Sequence, residues 1–213
     1  GNADIIGHVV QFSKDFKLYF DLADDFLSFL TSHVDALERG ERDFITPIGP
    51  EPSICIFPNC GPYYSCASTR GIRVEASSMP CVESSNPAGV WTYRIKMTAT
   101  PAAPGLVQLV SRFWKITYES GHEETVAGPG AVGMYPILSH DASATADATR
   151  SMDYCSNCMG RLVDGDQVDY PACMQGYFTF VLGLAENHGL SSARSEDFHV
   201  VVAPFRFQKP TRF

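Results

Sequence analysis

No run of apolar residues in this chain approaches the ~20 that a membrane-spanning helix needs, and near the N-terminus Ile5, Ile6, Val9 and Val10 are interrupted by Gly7 and His8. No membrane partner is expected. Positive charge is also scarce, with 16 Lys and Arg against 24 Asp and Glu and a formal net charge of −8. Nucleic-acid binding rests on clustered cations that neutralise phosphates. The one basic cluster is the closing FRFQKPTRF, whose Arg206, Lys209 and Arg212 read as a solvated tail, so no nucleic-acid partner is expected. The chain has no Asn-X-Ser/Thr acceptor, and its seven cysteines are odd in number. Free thiols or metal ligands in an intracellular, reducing compartment are therefore expected, whether cytoplasm, nucleus or an organelle. The six histidines (His8, His33, His122, His140, His188 and His199) form no H-E-x-x-H or other compact motif. No catalytic residue is nominated, and a noncatalytic protein is the expectation.

What is present fits one globular domain with an accessory segment: 213 residues, 45% hydrophobic and 19% charged. The chain begins at Gly1 rather than Met, as an excised or processed piece would. Phe16, Phe20, Ala23, Leu27, Leu30, Val34 and Leu37 recur at alternating steps of four and three, the stripe of an amphipathic helix. The expected organisation is a helical segment over 1–45, capped by Ser13 and ended by Arg39 and Gly40, with a break near Asp24 as an option. That helix is expected to pack on its own domain. A Pro/Gly/Cys-rich linker over 46–66 should follow, since repeated proline and glycine deny regular structure.

From residue 67 onward the runs GIRVEAS, VWTYRIKMT, LVQLVSRFWKITY, SATADAT, YFTFVLGL and FHVVVAPFRF read as strands. In VWTYRIKMT, Trp91, Tyr93, Ile95 and Met97 alternate with polar residues, a half-buried antiparallel pattern. The fold class predicted for 67–213 is an antiparallel β-sandwich, with a cysteine-containing insertion at 150–173. Trp91, Trp114, Tyr177 and Phe178 are expected to face the core, with the floor of an inter-sheet peptide groove as the sharper reading.

The stretch AGPGAVGM places Gly128, Gly130 and Gly133 on the spacing of a dinucleotide-binding turn. That fingerprint requires a buried strand before it and a helix after it. Instead SGHEETV precedes it, and MYPILSHDASATADATRS, with Pro136 early, follows. The motif is read as an inter-strand loop of Gly128, Pro129, Gly130, Ala131, Val132, Gly133 and Met134, proposed to bind a ligand or partner. Its amides could also form an anion nest, with Arg112, Lys115 and Arg161 as candidate counter-charges.

The order of motifs resembles the ApaG domain. R-[FY]-W-x-I-T falls on Arg112, Phe113, Trp114, Ile116 and Thr117, and G-P-G-x-V-G-x-x-P on Gly128, Pro129, Gly130, Val132, Gly133 and Pro136. M-x-G-x-[YF]-x-F falls on Met174, Gly176, Tyr177 and Phe178, and the closing P-x-F-type strand on Pro204 and Phe205. The resemblance implies an immunoglobulin- or fibronectin type III-like β-sandwich acting as a binding module. Upstream, FLSFLTSHVDALERGERDF and TRGIRVEASSMPCVESSNPAGVWTYRIKM resemble the C-terminal half of F-box-only ubiquitin-ligase adaptors, which implies a protein partner. The bacterial members are linked to pyrophosphate, which implies the alternative of a small-anion or nucleotide ligand. Met134 stands where the family often has Glu. Finally, Cys155 and Cys158 have C-x-x-C spacing and with Cys173 are candidate ligands of a structural zinc, although no cofactor is otherwise expected.

Overall fold

Burial along VWTYRIKMTA alternates residue by residue, as the sequence pattern requires of a strand with one face inward. The structure is a computed structural model that describes residues 6–12, 14, 18–41, 44–45, 53–84, 86–141, 143–164, 167–184 and 196–212. In chain order it contains β1 (Val9–Phe12), β2 (Leu18–Ala23), α1 (Phe26–Glu38), β3 (Phe44–Ile45) and β4 (Ser53–Ile54). Then come β5 (Tyr64–Thr69), β6 (Ile72–Pro80), β7 (Val90–Ala99), β8 (Val107–Tyr118) and β9 (Glu123–Pro129). The short β10 (Ile137–Leu138) and β11 (Ala148–Thr149) precede β12 (Ser151–Met159) and the small hairpin of β13 (Arg161–Val163) and β14 (Gln167–Asp169). The long strands β15 (Pro171–Leu182) and β16 (Asp197–Arg206), with the terminal β17 (Thr211–Arg212), complete the order.

Two sheets face each other. One is four-stranded in the order β12-β7-β6-β5; the other runs β11-β10-β8-β15-β16, with β9 also paired to β8. Pairing is antiparallel except between β10 and β11. The core between them contains Trp91, Trp114, Phe178, Phe180 and Phe205, all at most 2% exposed. Each buried Phe contributes about 1.5–3 kcal/mol relative to exposure. Gly176 lies in register with Trp114, where a Cβ would overlap the Phe113 carbonyl and come within 2.9 Å of Trp114 Cε3. The glycine of MQGYF is thus space for the indole of RFW.

The sandwich is sewn shut along one side and open along the other. At the β5/β16 side, Ser65 Oγ donates to the Ala203 carbonyl at 2.7 Å, Ser78 Oγ to the Arg206 carbonyl at 2.6 Å, and the Arg206 amide to the Pro62 carbonyl at 3.1 Å. The opposite side is formed by the edge strands β9 and β12.

Several expectations are corrected. The helix starts at Phe26, because Asp25 caps it by accepting from the Ser28 amide and hydroxyl, each at 2.8 Å, while Leu18–Ala23 pairs with β1 as a strand. Phe20 and Ala23 therefore belong to β2; Ser13 and Phe16 lie outside the described residues. At the other end Arg39 and Gly40 act as expected. Gly40 has φ +68°, and the amides of Gly40 and Glu41 donate to Leu37 and Ala36 in a Schellman arrangement. No residue of the helix is buried, so Leu27 (73% exposed) and Val34 (49%) do not pack on the domain as expected.

SATADAT is mostly turn, with a strand only at Ala148–Thr149. Of the expected linker over 46–66, residues 46–52 lie outside the described residues; the rest is not free of regular structure, since it holds β4 and the start of β5, and its Cys55 is 2% exposed. Tyr177 faces outward, stacked between Phe113 at 5.1 Å and His199 at 4.1 Å, since its neighbour Phe178 faces inward. The segment expected as an insertion supplies β12, paired with β7 along its whole length. Among the described residues no helix is long and apolar enough to cross a membrane.

Candidate functional site

The site is built by an irregularity in β8. Ser111 faces Thr179 and Leu109 faces Phe180, which leaves Val110 as an extra residue, a β-bulge. Before it the odd-numbered Val107 and Leu109 are buried; after it Trp114, Ile116 and Tyr118 are buried. The bulge shifts the inward phase by one residue and turns Arg112 to the inner side. Val110 also receives the chain that follows β9: its carbonyl accepts from the Gly130 amide at 2.9 Å, and the Leu109 amide donates to the Pro136 carbonyl at 3.0 Å.

The GPGAVG loop is therefore an excursion of residues 131–135 between two stretches that pair with the same strand. Within it Ala131 and Met134 exchange two backbone hydrogen bonds of 2.9 Å. The central pair, Val132 (φ +45°) and Gly133 (φ +79°), both have positive φ, the pattern of a type I′ turn. A branched side chain is costly there, by roughly 1–2 kcal/mol. Gly130 has φ +56°, and a Cβ on it would stand 2.5 Å from the Met134 carbonyl oxygen. Arg112 braces the entry by donating from Nη1 to the carbonyls of Pro129 and Gly130, both at 3.0 Å, and its guanidinium lies against Gly128.

Beneath the loop, at the open side of the sandwich, is a cavity of about 160 Å³. Its walls include Tyr93 from β7, Trp114 from β8, Tyr154 and Ser156 from β12, and Met174 from β15. Arg112, Asn157 and the loop residue Val132 also line it. Trp114 Nε1 and Tyr154 Oη are buried without a hydrogen-bond partner, whereas Trp91 Nε1 donates to the Gln208 carbonyl at 2.8 Å. Burial pushes the hydroxyls of Tyr154 and Tyr93 above the usual tyrosine range, and the Arg112 charge opposes this at both. Both phenols stay protonated.

The loop residues and Arg112 come together here; the cysteines do not. Cys155 is exposed and Cys158 is 5% exposed, because residues three apart in a strand point to opposite faces. Burial raises the thiols of Cys155 and Cys173 and pushes Cys158 up to about 12. Among the described residues no group of three or more His, Cys, Asp or Glu is placed to hold a metal.

The anion-nest geometry is also largely consumed, since the amides of Gly130, Ala131 and Met134 already donate to carbonyls. Of the candidate counter-charges, Lys115 pairs with Glu123 at 2.7 Å and Arg161 with Asp169 at 3.3 Å. Arg112 alone of the three forms no ion pair with a carboxylate among the described residues. Tyr154 and Ser156 went unrecognised in the sequence, although alternation in SMDYCSNCM carries the signal for their inward facing.

A mainly β, ApaG-like sandwich with one helix near its N-terminus is the class that these features define. The family model described as the ApaG domain matches residues 82–182. Protein ApaG of Brucella anthropi is 38% identical over 95 residues, and that of Brucella suis biovar 1 is 40% identical over 95; each alignment covers 43% of this chain and 65% of the relative. The family model and these relatives together support the ApaG domain family for this stretch. The chain thus spans less than two thirds of the length of these curated relatives. A solved structure described as an ApaA protein from Bordetella pertussis is similar at 22% identity, covering 67% of this chain and 92% of that one, with a TM-score of 0.44. The matched stretch leaves out β5 and β16, the two strands that close the sewn side.

Proposed function

We propose that this chain is a noncatalytic protein-interaction module that engages its partner through the 130–136 loop at the open side of the sandwich. One observation carries the reading. A loop pinned to β8 at both ends and braced by Arg112 holds Val132 and Met134 46% and 43% exposed. Apolar side chains on pre-formed backbone lose little freedom on binding. A branched residue kept at positive φ is strain of the kind that clusters at recognition sites. The finer placement is substrate recognition within a ubiquitin-ligase adaptor, or a subunit role in a larger complex. It is supported by the resemblance of α1 and of β6–β7 to the corresponding parts of such adaptors.

The test compares a tagged wild-type chain with Val132→Asp/Met134→Asp in native extract. The double variant is expected to melt no more than ~2 °C below the wild type, because both positions are exposed and aspartate tolerates the positive φ at position 132, and to lose the copurifying partner. A partner retained at wild-type level places recognition elsewhere.

A further inference from the structure

The inter-sheet cavity has a chemistry of its own. An indole N–H can only donate, so the unpartnered Trp114 Nε1 calls for an acceptor, and the unpartnered Tyr154 hydroxyl can donate alongside it. Among the described residues no Asp, Glu or Lys lines the cavity, and the one charge on its wall is the Arg112 guanidinium, which keeps Nε and Nη2 for further bonds. One cation balances a monoanion. A phosphomonoester, at about −2, would leave an uncompensated charge in a chain that is already −8. The remaining wall is mixed: Ile116, Val126, Val132 and Met174 give an apolar stretch, beside the polar Ser156 and Asn157. The volume, about 160 Å³, is close to that of an apolar cavity of roughly 150 Å³ that holds benzene.

From these observations we infer that the cavity binds a carboxylate carried on a short apolar body, with Arg112, Trp114 Nε1 and Tyr154 Oη as its donors. This chemistry is shared by the C-terminal residue of a peptide chain and a free small carboxylic acid. The inference deepens the interaction-module reading and rests on it for the partner, while the cavity itself can be tested alone.

The experiment follows the two indole N–H resonances of the full ¹⁵N-labelled chain during titration with N-acetyl-leucine, N-acetyl-leucinamide, isovalerate and inorganic phosphate. The Trp114 resonance should move with the acids and bind the amide about tenfold or more weakly. The Trp91 resonance, already bonded to Gln208, should stay in place. Tighter binding of N-acetyl-leucine than of isovalerate identifies a chain end as the source, and the reverse order identifies a free acid. Arg112→Gln should abolish the response. Because Arg112 also braces the loop, Tyr154→Phe serves as a second variant, removing one donor without a loop contact and weakening the acid about threefold or more.

Equal binding of acid and amide, a response to phosphate alone, or a Trp114 resonance that moves with none of the four overturns the inference. Loss of partner on changing Val132 and Met134 with no response at Trp114 would remove the carboxylate site and leave the interaction module standing. A Trp114 response without any loop-dependent partner would do the opposite.

Discussion

Tyr154→Phe should make this protein more stable. The hydroxyl is buried at a residue 7% exposed and has no hydrogen-bond partner, although the ring packs at 6.4 Å, edge-on, against Phe178. Phenylalanine keeps the ring and its contacts and deletes only the oxygen. An unsatisfied buried polar group costs about 1–3 kcal/mol, and for a chain of this size 1 kcal/mol corresponds to roughly 2–4 °C in melting temperature. The expected gain is therefore between about 2 and 12 °C, read by calorimetry or by urea denaturation with an unchanged slope. The same substitution should weaken carboxylate binding, so stability and binding move in opposite directions, as they do where a polar group is held for a ligand. A variant destabilised by about 1 kcal/mol or more would show that the hydroxyl is satisfied in the folded protein, and would refute the reasoning for Tyr154 as an available donor.

Val132→Asn should also stabilise, by about 1 kcal/mol, since it places Asn-Gly at the two positive-φ positions of the turn; a lower melting temperature would mean that the Val132 side chain contributes more than its backbone strain costs. For Asp169, burial alone would raise the carboxyl, but the Ser120 hydroxyl and amide (2.6 and 3.0 Å) and Arg161 outweigh it and hold it below its ordinary 3.8. A carboxyl held low in the folded state gives stability that is fully present above the unfolded value and is lost as pH falls from there through the lower folded value. Asp169→Asn should therefore lower stability at pH 7 and flatten its decline below about pH 4; parallel wild-type and variant curves over that range would contradict the assignment. Cys158, pushed up to about 12, should resist alkylation at pH 8 in the native state, while the exposed Cys60 and Cys66 react. Mass spectrometry that finds Cys158 modified as fast as Cys60 would show that β12 opens readily.

The strands legible in the sequence are those with one buried face in uninterrupted alternation, above all β7. The loop, too, could be recognised, because Gly130 at positive φ and Pro129 mark a turn whatever surrounds them. Edge strands were harder. β9 carries exposed Glu123 and Glu124 and buries little, and β12 has cysteines at both an exposed and a buried position, so C-x-x-C spacing reads as a ligand pair where a strand runs. The helix start was misplaced because Phe20 and Ala23 continue the helical stripe by coincidence, while the cap at Asp25 decides the boundary. The inward turn of Arg112 depends on the phase change in LVQLVSRFWKITY, apolar at odd positions and then at even ones, which becomes interpretable only once Val110 is seen to bulge. Convergence of β8, β12 and the loop on one cavity is a property of the sheet order, and no local pattern encodes it.

Hydrogen–deuterium exchange on the chain with its captured partner tests the central claim most directly. Binding at the open side predicts protection confined to 126–136 and 151–159, the loop and the edge strand that faces it across the cavity. Protection of α1, or of the outer face around Tyr177 and His199, with none in the loop would contradict the account.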